Sequence, residues 1–365
     1  MAVDAMTLTD TIDHSTLLLT CGPGGVGKTT TAAAIGVAAA NSGRRVVVVT
    51  VDPARRLADA LGLDDGAAAD EPHQVDGVGA DEGELWALML DDAATFDRLV
   101  REQTASEEQA EAILNNPIYG ALSRSLAGAQ EYMAIERLHQ LFVSDEWDLV
   151  IVDTPPSRNA IDLLGAPDRL VAFLSNPVYR ALTVGQRTFA RVTNAASSMF
   201  LWAVRRLAGP QIVEDTVAFF RSLTTVEEGL RRRAGEVREL LRADETAFVV
   251  VSSPRAEAIA ESEHLIGALR DDDFPFGGVV INLIHPLPEQ LDPADRAALD
   301  DVADGPLAEH LAWHDELTEL AVSEREELAG LAELADDVPV VELPLQDTDV
   351  HNVDGLLGLA ERLAP

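Results

Sequence analysis

The sequence has one lysine and one cysteine among its 365 residues. A single cysteine, Cys21, excludes an intramolecular disulfide and any metal site built from several cysteines of one chain. Aromatic residues make up only 5% of the chain, whereas 47% of the residues are hydrophobic. This composition is typical of a globular protein rather than a disordered or fibrous one. The length allows either one large α/β domain with an insertion or two ordinary domains.

Long apolar runs are also missing. The longest, around Leu17 and Val46, fall far short of the ~18 residues that span a bilayer. The N-terminal segment carries Asp4, Asp10 and Asp13 and lacks the basic start and long apolar stretch of a secretory signal. We therefore expect a cytoplasmic protein without stable membrane insertion.

Basic side chains are scarce, and lysine is the scarcest. The 63 acidic residues outnumber the 27 basic ones, which gives a net charge of −36. This field disfavours binding to nucleic acid and to anionic membranes. A high-GC genome explains arginine in place of lysine but not the excess of acids, and a salt-rich cytoplasm would favour both. Lys28 is the only lysine, which indicates a site that encloses a slender ammonium and rejects the wider guanidinium.

Seven apolar runs predict the strands of a sheet. The run 16–21 leads into a glycine-rich loop, a helix from Lys28 to about Ser42 and a second strand over 45–52, which together form a βαβ unit. The other runs lie at 85–90, 148–153, 247–252, 277–282 and 338–343. Since most do not alternate with polar residues, they predict a mostly parallel sheet covered by helices on both faces.

Two helical stretches, 91–143 and 159–243, are too long for single crossover helices. We interpret both as parts of a helical subdomain inserted on the C-terminal side of the sheet. The prediction is therefore an α/β fold in which residues 1–365 form one domain with this insertion.

The segment Gly22–Thr29 reads GPGGVGKT and matches the phosphate-binding pattern G-x-x-x-x-G-K-[ST] between a strand and a helix. Its glycines allow backbone N–H groups to point at phosphate oxygens beside the positive end of the helix dipole. Lys28 is expected to reach the β- and γ-phosphates, and Thr29 to offer its hydroxyl to Mg²⁺. The predicted nucleotide-binding residues of this loop are Gly24, Gly25, Val26, Gly27, Lys28, Thr29 and Thr30.

Two aspartates follow predicted strands near this loop. Asp153 ends an apolar strand, where a P-loop enzyme holds its magnesium; the alternative is an aspartate that starts a proline-rich turn. Asp52 is positioned either to orient a water for attack on the γ-phosphate or to cap the next helix, and the two roles are compatible.

Five segments in order resemble the arsenical-pump ATPase family, which also contains the ATPase for guided entry of tail-anchored membrane proteins. They are GGVGKTTT (24–31), VDPARRLADALG (51–62), DTPPSRNAIDLL (153–164), VIN (280–282) and VELPL (341–345). The similarity covers nearly the whole chain and is greatest to the bacterial, actinobacterial-type branch.

The resemblance implies an ATPase that uses ATP and Mg²⁺. Asp52 matches the water-activating aspartate and Asp153 the magnesium-sensing one, while Lys28 acts on the phosphates. Asn282 and Pro344 match positions around the adenine, although from the sequence alone Asn282 is equally a polar residue that closes a strand. Family members work as dimers that close on ATP and open after hydrolysis, so a homodimer or a heterodimer with a paralogue is expected.

The loop departs from the family at Pro23, where a second lysine normally reaches the phosphates of the partner subunit. We expect an arginine to replace it, with Arg55, Arg56, Arg158 and Arg255 as candidates, or a paralogous subunit to supply the charge. Loss of such a cation costs roughly 10³-fold or more in rate.

Two further departures concern the protein's cargo. Cys21 alone provides neither the Cys-x-x-Cys zinc site of the targeting ATPases nor the cysteine trio of the arsenite pump, so arsenite efflux is disfavoured. Region 165–225 has one methionine, Met199, where the targeting factors have a methionine-rich groove. The predicted function is ATP hydrolysis that drives binding or release of a protein partner, which includes a hydrophobic membrane-protein client. The alternative is a nucleotide-dependent switch or scaffold subunit that hydrolyses slowly without a paralogue.

Overall fold

The structure is a computed structural model. It describes residues 6–51, 56–63, 70–80, 82–104, 106–116, 129–156, 164–175, 227–290, 292–302, 305–350 and 352–365. The predicted residues Asp52, Arg55 and Arg158, and the segment 176–226 with Met199, lie outside this described part.

An eight-stranded sheet organises the chain in the order β3-β4-β2-β5-β1-β6-β7-β8. The strands are β1 Leu17–Cys21, β2 Arg45–Thr50, β3 His73–Gln74, β4 Glu84–Met89, β5 Leu149–Asp153, β6 Thr246–Ser252, β7 Phe276–Ile284 and β8 Val340–Pro344. All neighbouring pairs are parallel except β3 and β4. The α/β prediction is confirmed, and every predicted strand is present. The two-residue edge strand β3 was not predicted, because it has no apolar pattern.

Helices connect and cover the strands. Those of the described residues are α1 Leu8–His14, α2 Lys28–Asn41, α3 Arg56–Leu61, α4 Asp92–Gln103, α5 Glu107–Leu114, α6 Ala129–Val143, α7 Ala166–Ser175, α8 Glu227–Leu241, α9 Ala256–Asp271, α10 Pro293–Val302, α11 Pro306–Glu327, α12 Ala329–Leu334 and α13 Val353–Leu363. None of these helices has the length and hydropathy needed to cross a bilayer.

The core lies in two layers, one on each face of the sheet. In β1, Leu17 and Leu19 join the layer beneath α6, α8 and α9, whereas Leu18 joins the layer beneath α2 and α13. Side chains of a strand point to alternate faces, so both sets of positions in β1 must be apolar. This two-sided burial explains the continuous apolar runs in the sequence.

The helices of the two long helical stretches pack on the sheet where the structure describes them. Ile113, Leu138 and Val237 belong to the same buried layer as β1. Ion pairs add to this packing, because the fully buried Glu136 of α6 pairs with Arg233 of α8. The inserted helical subdomain stays a prediction, since residues 176–226 lie outside the described part.

Candidate functional site

The backbone of the loop between β1 and α2 requires glycine at both ends of the loop, Gly22 and Gly27. Gly27, with φ 88°, lies in the left-handed region directly before Lys28 begins α2. A Cβ on Gly27 would lie 2.3 Å from Nδ2 of Asn282, and one on Gly22 would lie 2.0 Å from the carbonyl oxygen of Val251. Real Cβ atoms do not approach other atoms so closely, so neighbouring strands enforce the loop shape.

Within this loop, Gly24 and Gly25 are exposed, whereas the side chain of Val26 is buried in the core. The buried valine anchors the loop and leaves only its backbone for ligand binding. Thr29 and Thr30 follow in the first turn of α2, where N–H groups have no intrahelical partner and favour an anion. The motif therefore places the loop backbone and the first turn of α2 together at one helix N-terminus.

Lys28 folds back over its own loop. Its Nζ donates a hydrogen bond to the carbonyl oxygen of Pro23 at 2.7 Å, and the residue is only 8% exposed. An ammonium on a thin chain fits this space, whereas a planar guanidinium with five donors does not have the same compact geometry. This enclosure gives a physical reason for a lysine at position 28 in a chain that otherwise uses arginine.

Asp153 meets two hydroxyl groups at the ends of neighbouring elements. Its Oδ2 accepts a hydrogen bond from Oγ1 of Thr29 at 2.7 Å and another from Oγ1 of Thr50 at 3.0 Å. The carboxylate is 1% exposed. The structure thus brings together the two residues predicted to bind magnesium. Thr50 was not predicted as part of the site. Its contact with Asp153 depends on the parallel register of β2 and β5, which pairs the two residues.

Asn282 connects β7 to the loop. Its Nδ2 donates a hydrogen bond to the carbonyl oxygen of Val26 at 2.9 Å. Pro344 ends the neighbouring strand β8, where it pairs with Ile284. The two residues that resemble adenine-binding positions therefore lie on adjacent strands, and Asn282 touches the loop.

Two of the four candidate arginines are described. Nη2 of Arg255 lies 3.2 Å from the carbonyl oxygen of Gly25 and 3.4 Å from that of Gly24, and its Nε donates to Oγ of Ser253 at 3.2 Å. Arg56 begins α3 and is exposed. Arg255 is thus the described candidate that contacts the loop of its own chain.

Cys21 ends β1 next to the loop and is buried. Burial raises the pKa of its thiol to about 12. A thiolate is the reactive form of cysteine, so this side chain is inert at neutral pH. Cys21 therefore acts as a small buried hydrophobic residue rather than as a nucleophile.

A mostly parallel sheet, a glycine-rich loop before α2 and the enclosed Lys28 define a P-loop nucleoside triphosphatase. The chain belongs to the anion-transporting ATPase family, whose model, ArsA_ATPase, matches residues 15–298. This membership confirms the resemblance found in the sequence and identifies the chain as an ATPase.

Three relatives support the same family. The chain is 23% identical to ATPase ASNA1 homolog 1 of Paramecium tetraurelia over 362 residues, which cover 98% of this chain and 95% of the relative. It is 26% identical to ATPase GET3 of Malassezia globosa over 361 residues, covering 98% and 94%. ATPase GET3B of Arabidopsis thaliana is 28% identical over 288 residues, covering 73% of this chain and 63% of the relative. These organisms do not bear out the predicted place in an actinobacterial-type branch.

Proposed function

We propose that this protein hydrolyses Mg²⁺-bound ATP at an interface between two subunits and that the resulting change between closed and open forms binds and releases a protein partner. The observation that carries the proposal is the hydrogen bond of 2.7 Å between Thr29 and Asp153 beside the loop. It joins the start of α2 to the end of β5, two parts of the chain that hold the same Mg²⁺ in a P-loop enzyme.

The phosphate end of the nucleotide is assigned to residues 24–30. Lys28 exchanges the Pro23 carbonyl for the β- and γ-phosphates, and backbone N–H groups at the start of α2 complete the binding. The nucleotide offers Lys28 negatively charged oxygens in place of a neutral carbonyl, so the ammonium gains a Coulombic attraction that the carbonyl does not provide. Binding therefore reorganises the loop around one ammonium.

The oxygen atoms near Thr29 fit a magnesium ion. Mg²⁺ prefers carboxylate and hydroxyl oxygens and keeps several waters, and the buried Asp153 carboxylate next to the Thr29 hydroxyl is such a donor set. Thr29 would bind the ion directly and Asp153 through water. A bound ion supplies positive charge to the phosphate oxygens. Thr50 fixes the direction of the Asp153 carboxylate from β2.

Asp52 is proposed as the residue that orients and deprotonates the attacking water. It directly follows Val51, whose backbone N–H donates to the carbonyl oxygen of Asp153 at 3.3 Å. This bond brings Val51, the residue before Asp52, to the end of β5 that carries Asp153. A carboxylate can accept the proton of an attacking water, which is what general-base assistance requires.

The base of the nucleotide is assigned to Asn282, near the end of β7, and to Pro344, at the end of β8. Asn282 also fixes the loop through Val26, which supports a single rigid surface for phosphates and base. Arg255 is proposed as the second cation, because its guanidinium already lies against Gly24 and Gly25. Arg55, Arg56, Arg158 and a paralogous subunit are the competing sources.

The partner is proposed to be a protein, with a hydrophobic membrane-protein client as one form of it. The family resemblance supports two subunits, as a homodimer or with a paralogue. Pro23 favours a second candidate function, a nucleotide-dependent switch or scaffold subunit that hydrolyses slowly alone. Cys21 as the single cysteine disfavours arsenite efflux.

Turnover of the purified chain with Mg²⁺ and ATP, combined with light scattering to measure its mass, tests the proposal. We expect hydrolysis that requires magnesium and an ATP-dependent dimer. Tight binding of ATP without turnover would favour the switch subunit. A monomer that hydrolyses ATP at the same rate per chain at every concentration would contradict the interface. Capture of partners with Asp52→Asn, intended to hold the ATP form, identifies the client.

A further inference from the structure

The end of β7 has an irregular backbone next to Asn282. Ile281 pairs with Glu342 of β8, and Ile284 pairs with Pro344, so three steps along β7 oppose two along β8. The extra residue is accommodated at Leu283, which has φ 63° in the left-handed region. A bulky non-glycine residue rarely adopts this conformation, and such strain persists only where surrounding contacts enforce it.

The contacts that enforce this conformation come from α11. They are made to His285, two residues after Leu283. Its backbone N–H donates to Oε2 of Glu324 at 2.8 Å, and its ring Nδ1 lies 2.6 Å from Oε1 of the same carboxylate. An ionised carboxylate accepts hydrogen bonds, so this contact suits the tautomer that carries the ring proton on Nδ1. Glu324 therefore holds both the main chain and the side chain of His285.

Arg325, the next residue of α11, adds two further contacts. Its Nη1 donates to the carbonyl oxygen of His285 at 3.1 Å, and its Nη2 pairs with Oε2 of Glu342 at 3.1 Å. Glu342 lies in β8, two residues before Pro344. The two charged side chains of α11 thus fix β7 and β8 at the points where the strands leave their regular register.

Burial shows that this contact is a principal attachment of α11. In this helix of 22 residues, the buried residues are Leu311, Ala321 and Glu324. A carboxylate is costly to bury without strong partners, and a helix that served only as cover would place an apolar residue there. The position of Glu324 is instead adapted to the polar groups of His285.

We propose that Glu324 and Arg325 are positioning residues for the base of the nucleotide. By holding His285 they enforce the left-handed turn at Leu283, and this turn orients Asn282 and Pro344 toward one side of the sheet edge. β-Bulges elsewhere re-aim side chains next to active sites in this way. The inference rests on the proposed function, because it assigns Asn282 and Pro344 to the base.

Affinities for MgATP and for magnesium tripolyphosphate, measured by calorimetry, test the proposal, because only ATP carries a base. The ratio of the two dissociation constants reports the contribution of the nucleoside. We expect Glu324→Ala and Arg325→Ala to weaken ATP binding about tenfold and to change tripolyphosphate binding by less than about twofold. Glu326→Ala, an exposed acid of the same helix, should leave both affinities unchanged.

If Glu324→Ala does not fold, Arg325→Ala and His285→Ala remain. The latter removes the ring contact and keeps the backbone one, and we expect a loss of about threefold for ATP alone. Equal losses for ATP and tripolyphosphate, or unchanged ratios in all the folded variants, would overturn the inference. A wild-type chain that binds neither ligand would overturn the proposed function as well, whereas normal binding with insensitive variants overturns only the positioning role.

Discussion

Oγ1 of Thr29 lies 2.7 Å from Oδ2 of Asp153, although 124 positions separate the two residues in the sequence. The parallel register of the central strands produces this contact, since β1 and β2 both flank β5 and end beside it. The hydroxyl at the start of α2 and the carboxylate at the end of β5 therefore form one unit, and the proposed chemistry depends on it.

Removal of the Thr29 hydroxyl is expected to separate magnesium-dependent hydrolysis from folding. Thr29→Ala should lower kcat by about 100-fold, because a bound ion would lose its direct ligand, while Thr29→Ser keeps the oxygen and most of the activity. Steady-state hydrolysis against magnesium concentration measures both. Equal kcat values for the alanine and serine variants would contradict the assignment.

Gly27 is expected to be intolerant of a side chain for two separate reasons. Its φ of 88° and the 2.3 Å approach of Asn282 both oppose a Cβ in Gly27→Ala. Gly43 also has a positive φ, 93°, but a Cβ there meets no atom within 4 Å. We expect Gly43→Ala to lower the free energy of unfolding by about 1 kcal/mol and Gly27→Ala by about 3 kcal/mol, with loss of ATP binding.

Urea unfolding measures the free energy of unfolding of both variants. Gly43→Ala reports the conformational cost alone, and Gly27→Ala reports that cost plus the clash with Asn282. Similar losses of stability in both proteins would show that Asn282 moves aside without penalty.

Arg255 is expected to act on turnover more than on binding. Arg255→Ala should lower kcat by about tenfold or more and change the affinity for ATP by less than about threefold, because a second cation stabilises charge that develops in the transition state. Arg56→Ala tests the other described candidate and should retain wild-type kcat if Arg255 supplies the charge. If Arg255→Ala hydrolyses ATP normally, the charge comes from another arginine or from a partner subunit.

Cys21 is expected to resist alkylation until the protein unfolds. Burial raises the pKa of its thiol from 9.0 to about 12, so the folded chain retains the proton that the unfolded chain loses as the pH rises above 9. The free energy of unfolding should therefore decrease as the pH rises from 9.0 to about 12, and it should decrease less in the Cys21→Ala variant. Iodoacetamide labelling at pH 8, followed by mass spectrometry with and without denaturant, measures the protection. Rapid labelling of the folded protein would contradict it.

Much of the fold could be predicted because its signals are local. The apolar runs of β1, β2, β5 and β7 and the GPGGVGKT loop carry their own pattern. The positions of Asp153 at the end of β5 and of Asn282 near the end of β7 follow from them. The short strand β3 has no such pattern, and its two residues form a strand only because β4 offers an edge.

The missed parts of the site depend on distant contacts. Thr50 faces Asp153 because of a register between β2 and β5, which a single sequence does not encode locally. Glu324 reaches His285 across 39 positions from a helix that otherwise looks like a charged surface. An acid among many acids gives no signal of burial, so only the packing of α11 identifies it.

The central claim is that the single lysine binds the triphosphate, and calorimetry with MgATP tests it most directly. Lys28→Ala is expected to weaken ATP binding by about 100-fold or more, since a charged group with several partners is lost, while the unfolding transition stays cooperative. Lys28→Arg keeps the charge and should still bind poorly, because the enclosed space favours an ammonium. Wild-type affinity in Lys28→Ala, or no heat of binding in the wild-type protein, would contradict the account.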